Sequence, residues 1–251
     1  MKTINQQTVS NVWEKTWQQE NQEVFEDFDD GSQEILRVIK LFISSFQEKQ
    51  ILEVGSGTGK ISLRMAKDGG QVTLLDTAPT ALEKSKQLFE KCSQKAEYIL
   101  GSGFDLPFAD NSFDLVWNGG VFEHFKKHEQ KALLAEMARV CRSNGLIITF
   151  NPYKLAFFYR LGKFLMEITG RWPHGYEKPM LTMKKLYEPQ VLVLQKEFSN
   201  DFTSSLEHLF PGVLKKAAKQ IFLKLLKADK HPRFFTRLFG GYLLVSVFRK
   251  K

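Results

Sequence analysis

The stretch Ile51-Leu52-Glu53-Val54-Gly55-Ser56-Gly57-Thr58-Gly59-Lys60 constrains the fold of this chain more than any other. A short apolar strand carrying a carboxylate breaks into a loop with glycine at every second position, and Ile61 to Ala66 then continues as a helix. Glycine permits the sharp turn between strand and helix, and the missing side chain lets a ligand lie against the main chain. Amide N–H groups at the helix start can face a polar or anionic group. The spacing separates three kinds of nucleotide loop. A phosphate-binding loop ending on Gly59-Lys60 needs glycine at Val54 and a hydroxyl at Ile61, and both positions fail. The dinucleotide fingerprint, counted from Gly55, needs its last glycine at Lys60 and fits poorly. What remains is Glu-x-Gly-x-Gly-x-Gly.

Gln71 to Asp76 reads as a second buried strand ending in a carboxylate. Asp76 lies about 20 residues past the loop, where a βαβ unit brings an acid to a ribose diol. Further on come Gly101-Ser102-Gly103-Phe104-Asp105-Leu106-Pro107-Phe108, Ser112-Phe113-Asp114-Leu115-Val116, Val121-Phe122-Glu123-His124-Phe125 and the closing Gly241 to Lys250. In this order the segments resemble the motifs of class I S-adenosylmethionine-dependent methyltransferases, in their small-molecule branch. The resemblance spans roughly residues 50 to 250. It implies an α/β, Rossmann-like, doubly wound seven-stranded sheet, mostly parallel with an antiparallel last strand, plus helical lid insertions. It also implies S-adenosyl-L-methionine as cofactor and methyl transfer to a small or lipid-like acceptor.

By that resemblance Glu53 and the loop Gly55, Ser56, Gly57 and Gly59 face the methionine portion of the cofactor, and Asp76 with Thr77 the ribose. Asp76 also suits a helix cap before Pro79. The adenine site departs from the pattern: Ser102 stands where such sequences carry Asp, and a neutral hydroxyl bonds more weakly than a carboxylate. Gly103 and Phe104 follow it, Phe104 either packing on the base or serving as core, and Asp105 is a candidate to reach back. Asn118, Gly119 and Gly120 follow the fourth strand, where the resemblance implies backbone carbonyls turned to the methionine amine. Methyl transfer needs mainly an acceptor held in line with water excluded, and a base where the acceptor must lose a proton. His124 is the leading candidate base, against a plain role at a helix start; His174 and Tyr176 rank second.

Alternating strands and helices across 51–150 indicate a parallel sheet covered on both faces. The expected helices include 9–22, carrying Trp13 and Trp17, then 33–46 after an acidic break at 27–32, and 155–169, with a short one after Thr182. The expected organisation is a single methyltransferase domain over 1–251. Residues 1–32 form a helical extension, and 153–190 and 200–239 form lid insertions. Cys92 and Cys141 read as buried thiols, and no His, Cys or Asp spacing suits a metal. Met1 to Glu20 lacks an apolar leader core, so a cytoplasmic location is expected.

The net charge of +8 is uneven. Eleven Lys or Arg face a single acid, Asp229, between Val213 and Lys251, so the rest of the chain is slightly acidic. Residues 213–227 read as a basic amphipathic helix, either a lid with a solvated lysine face or a peripheral contact with acidic membrane. No aromatic-basic platform points to nucleic acid. Two alternatives stay open: an RNA or protein methyltransferase guided by the basic region, and a catalytically inactive cofactor-binding interaction subunit.

Overall fold

The computed structural model describes residues 4–19, 28–172, 175–207 and 238–251. Within them, strands β1 (Gln50–Val54), β2 (Gln71–Asp76), β3 (Glu97–Leu100), β4 (Phe113–Gly119), β5 (Cys141–Pro152), β6 (Leu192–Asn200) and β7 (Leu243–Lys250) form one sheet. Their order is β3-β2-β1-β4-β5-β7-β6. The pairs from β3 to β5 are parallel, while β7 runs antiparallel to both β5 and β6. The expected mostly parallel sheet with an antiparallel last strand is therefore present.

Alternation along each strand feeds two cores. Ile51, Leu74, Leu115, Ile148 and Val245 face one cluster, and Leu52, Leu75, Val116, Ile147 and Leu244 face the other. Helices α2 (Asp30–Lys40), α3 (Lys60–Lys67) and α4 (Pro79–Lys91) cover the first through Val38, Ile39, Met65 and Phe89. Helix α5 (Lys127–Val140) covers the second through Leu133, Leu134 and Met137. The topology reverses between β1 and β4, which opens a crevice at the carboxyl ends of the strands.

Helix α1 (Ile4–Gln19) lies over that crevice. Lys84 Nζ on α4 donates to the Trp17 carbonyl at 2.6 Å, and Glu14 accepts from Thr80 N at 3.3 Å. The first insertion contributes α6 (Phe157–Ile168), and α7 (Phe202–Glu207) follows β6. Among the described residues no helix is long and apolar enough to cross a membrane.

Three sequence expectations are corrected. Helix α2 begins inside the supposed break, because Asp29 caps it by accepting Ser32 N–H at 2.7 Å, and it stops at Lys40 instead of Phe46. Where a strand over 145–150 is expected, β5 starts at Cys141, continuing directly from α5. The stretch after Thr182 is turns, not helix: Glu197 of β6 accepts from both Thr182 Oγ1 and Met183 N, tying it to the sheet. The basic segment 213–227 lies outside the described residues.

Candidate functional site

One cavity of about 830 Å³ occupies the crevice, bounded by the ends of β1, β2 and β4, by α1 and by the first insertion. Its first lobe is built on the glycine loop. Gly55 N and Ser56 N both donate to the Leu75 carbonyl, at 2.8 and 3.0 Å, which ties the loop to β2. Gly57 (φ +50°) and Gly59 (φ +64°) sit in the left-handed region, and their surroundings differ. A Cβ on Gly57 would stand 2.7 Å from the Trp17 ring at the cavity, whereas one on Gly59 would stand 2.6 Å from Leu74 in the core. Gly59 is thus a packing glycine and does not line the cavity, while Gly55, Ser56 and Gly57 do.

Glu53 lines this lobe from within β1. Burial pushes its carboxyl well above the usual range, a bond from Ser62 opposes this, and the charge of Asp76 adds to it. Its Oε2 has no hydrogen-bond partner, and neither has Ser56 Oγ. Asp76 is held between two amides: Oδ2 accepts from Gly57 N at 2.8 Å and Oδ1 from Ala78 N at 2.9 Å. Burial raises its pKa, the Gly57, Ala78 and Thr77 amides pull it down and the charge of Glu14 adds to the rise, for a net upward shift. Each oxygen keeps a second lone pair for another donor. Asp76 is not the cap of α4, whose N-cap is Ala78 without a side-chain bond; it holds the turn before the helix through Ala78 N and lines the cavity beside Thr77.

Ser102, Gly103 and Phe104 line the far end. Ser102 Oγ accepts from Phe104 N at 3.3 Å, and the Phe104 ring meets Phe125 edge-on at 4.9 Å. Asp105 does not reach back: it is exposed, and its backbone N donates to the Ser102 carbonyl at 3.1 Å. After β4, Gly119 and Gly120 reach the cavity, but Asn118 is fully buried behind it with both amide atoms unbonded.

The second lobe is walled by the 3-10 turn Phe122–His124 and by residues 176–178 of the first insertion, which are hydrogen-bonded to it. His124 is 3% exposed, and its Nδ1 lies 2.7 Å from the Tyr176 carbonyl. That carbonyl can only accept, so Nδ1 carries the proton and Nε2 keeps its lone pair. Burial lowers the His124 pKa, the Tyr176 bond raises it and Lys163 lowers it, for a net downward shift. Tyr176 thus contributes its carbonyl while its side chain is exposed, and His174 lies outside the described residues.

Sequence reasoning missed several lining residues. Trp13 and Trp17 stack at 5.6 Å, and Trp13 meets the His124 ring edge-on at 5.4 Å; their one-turn spacing was the available signal. Glu123, Glu177 and Tyr242 also line the wall. Glu123 is adjacent to His124 in sequence, but Glu177 and Tyr242 had no local signal.

A group whose model is described as "Methyltransferase domain" matches residues 52–149. A demethylmenaquinone methyltransferase from Renibacterium salmoninarum is 30% identical over 142 residues, 54% of this chain and 57% of that protein. An O-methyltransferase from Aspergillus sclerotiorum is 28% identical over 161 residues, 59% of this chain and 58% of that protein. The chain therefore spans under two thirds of these relatives. A magnesium protoporphyrin IX methyltransferase from Synechocystis PCC 6803, solved with bound S-adenosylhomocysteine, covers all of this chain and is itself covered to 89%. Its TM-score is 0.57 at 12% identity, a likeness of fold.

Proposed function

We propose, from the premise that residues 52–149 are a class I S-adenosylmethionine-dependent methyltransferase domain, that this chain methylates a small or lipid-like acceptor in the second lobe. The observation that carries the reading is the continuity of one cavity from the glycine loop and Asp76 to the His124 wall.

The residues present fit the cofactor. The unbonded Glu53 Oε2 and Ser56 Oγ suit the donors of an amino acid end, and the spare lone pairs of Asp76 suit ribose hydroxyls. Ser102 and Phe104 offer a polar atom and a ring for the base. When bound, the cofactor supplies an electrophilic methyl group whose bond to sulfur breaks with the electron pair staying on sulfur. The protein's part is to hold the acceptor, exclude water and take a proton. Trp13 and Trp17 on α1 close the crevice from above. His124 Nε2, neutral and carrying its lone pair, accepts the acceptor's proton. Glu123 Oε1, 3.9 Å from Nε2, stabilises the resulting imidazolium.

Incubation with methyl-tritiated cofactor and a whole-cell extract tests the reading: label is expected in a small-molecule or lipid fraction. Label confined to RNA or protein, or no label with cofactor bound, contradicts it.

Contact with acidic membrane is expected from the sequence through residues 213–227, which lie outside the described residues; membrane contact through a different, apolar face is proposed here. Phe157, Leu161, Phe164, Leu165 and Ile168 lie exposed along one face of α6, while the buried Tyr159 of the same helix donates to Glu177 of the cavity wall. Replacing Phe164 and Ile168 together by Ser is expected to lower sedimentation with phosphatidylserine vesicles roughly threefold or more. Unchanged sedimentation contradicts membrane contact through this face.

A further inference from the structure

The second lobe holds more buried carboxyl groups than proton transfer requires. Glu123 is 2% exposed, and its Oε2, facing the cavity wall, has no hydrogen-bond partner. Glu177 is brought beside it by two bonds that straddle it. The Tyr176 carbonyl meets His124 Nδ1 at 2.7 Å, and Lys178 N donates to the Glu123 carbonyl at 2.8 Å. The Glu177 side chain is 5% exposed and accepts from the Tyr159 hydroxyl. Among the described residues, the cation paired with Glu177 is Lys163, whose Nζ stands 4.0 Å away. It is committed to Glu167 at 2.8 Å, lies 3.8 Å over the Trp172 ring, and does not line the cavity.

We infer, building on the methyltransferase reading above, that the acceptor is an amine, received as its ammonium by Glu123 and Glu177 against the Tyr242 ring. Two carboxylates in one buried wall repel each other and lose hydration, and a ligand cation relieves both costs at once. The electrostatics agree. Burial first, then the charge of Glu177, pushes the Glu123 carboxyl well up, and burial pushes Glu177 to about 8. Burial, with the charges of Glu177, Glu123 and Asp201, likewise pushes the Tyr242 phenol up. An acidic acceptor would add a like charge beside the pair, and an alcohol would supply no cation for the two carboxyls to ionise against. In the reaction, the ammonium gives one proton to His124 Nε2, and the nitrogen lone pair so freed forms the new bond to carbon. Chemistry at nitrogen needs that deprotonation, and the neutral His124 beside Glu123 provides for it.

The test uses the full chain saturated with S-adenosylhomocysteine and three probes of one shape: benzylamine, benzyl alcohol and benzoate. Binding is followed by calorimetry and by tryptophan emission, since Trp13 borders His124. Benzylamine is expected to bind roughly tenfold or more tightly than benzyl alcohol, with no binding of benzoate. Glu123→Gln and Glu177→Gln are each expected to weaken benzylamine roughly tenfold while S-adenosylhomocysteine affinity stays within about twofold. The wild-type ranking needs no variant to fold. Alcohol or benzoate binding as tightly as the amine, no binding of any probe, or an amine affinity indifferent to both substitutions overturns the inference. Retained S-adenosylhomocysteine binding in those cases leaves the methyltransferase reading standing, and its loss from the wild type removes both.

Discussion

Replacing His124 with Gln is expected to lower kcat by roughly two to four orders of magnitude while leaving S-adenosylhomocysteine affinity within about twofold. The large effect follows from how completely the ring is positioned. Its Nδ1–H is fixed on the Tyr176 carbonyl at 2.7 Å, its face is held by Trp13 at 5.4 Å, and Glu123 lies 3.9 Å from Nε2. Gln retains a donor for the Tyr176 carbonyl but offers no base. The small effect on cofactor follows from placement, since none of the loop or Asp76 hydrogen bonds involves His124. Burial holds its pKa below the ordinary 6.5, so the ring is neutral at and above that value. The acidic limb of the wild-type pH–rate profile should therefore fall below 6.5 and disappear in His124→Gln. An unchanged kcat would assign His124 to structure alone.

Glu177→Gln is expected to stabilise the protein by on the order of 3–5 kcal/mol at alkaline pH and hardly at all near pH 4. In the unfolded chain the carboxyl releases its proton near 4.5; in the folded chain burial delays release to about 8. Below 4.5 both states are protonated and the buried acid costs nothing. Between the two values only the unfolded state has let its proton go. Stability therefore declines as pH rises from 4.5 through 8 and stays reduced beyond. The groups facing Glu177 are Glu123, Lys163, Tyr159 and Tyr242; the Tyr159 hydroxyl, which donates to it, and Lys163, 4.0 Å away, favour the ionised form but do not outweigh burial. Thermal melting of wild type and variant across this range reads the difference, and parallel melting curves at all pH values would contradict it. A residue that lowers stability in this way is kept for what it binds, so the more stable variant should be the one that loses the acceptor.

The cofactor lobe was legible in the sequence because its geometry is local. Strand, glycine loop and helix are contiguous, and Asp76 follows at the distance one βαβ unit sets. The periodicity that placed β1, β2 and β4 also placed the crevice at their ends. Element ends were less legible because tertiary bonds set them: Asp29 capping α2, and Glu197 holding 182–183 to the sheet, are not visible in propensity. Gly59 and Asn118 carry the motif's residue types but face the core, a distinction that only packing against Leu74 and between strands decides. The acceptor wall was the least legible. Glu177 meets Glu123 across 54 positions of chain through two backbone bonds that leave no sequence pattern. Trp13 and Trp17 were visible as a helical pair, but only the pinning of α1 to α4 by Glu14 and Lys84 turns them into the roof of the cavity.

Everything proposed above depends on the glycine loop and Asp76 forming an S-adenosylmethionine site. Titration calorimetry of S-adenosylhomocysteine against wild type and Asp76→Asn tests it most directly. Asn keeps the shape and one acceptor oxygen but gives up the charge on which ribose hydroxyls would be held. Saturable binding to the wild type is expected, weakened by about 1.5–3 kcal/mol in Asp76→Asn, with no comparable affinity for NAD. Equal affinity for the two proteins would remove Asp76 from the site, and a preference of the wild type for NAD would contradict the claim itself.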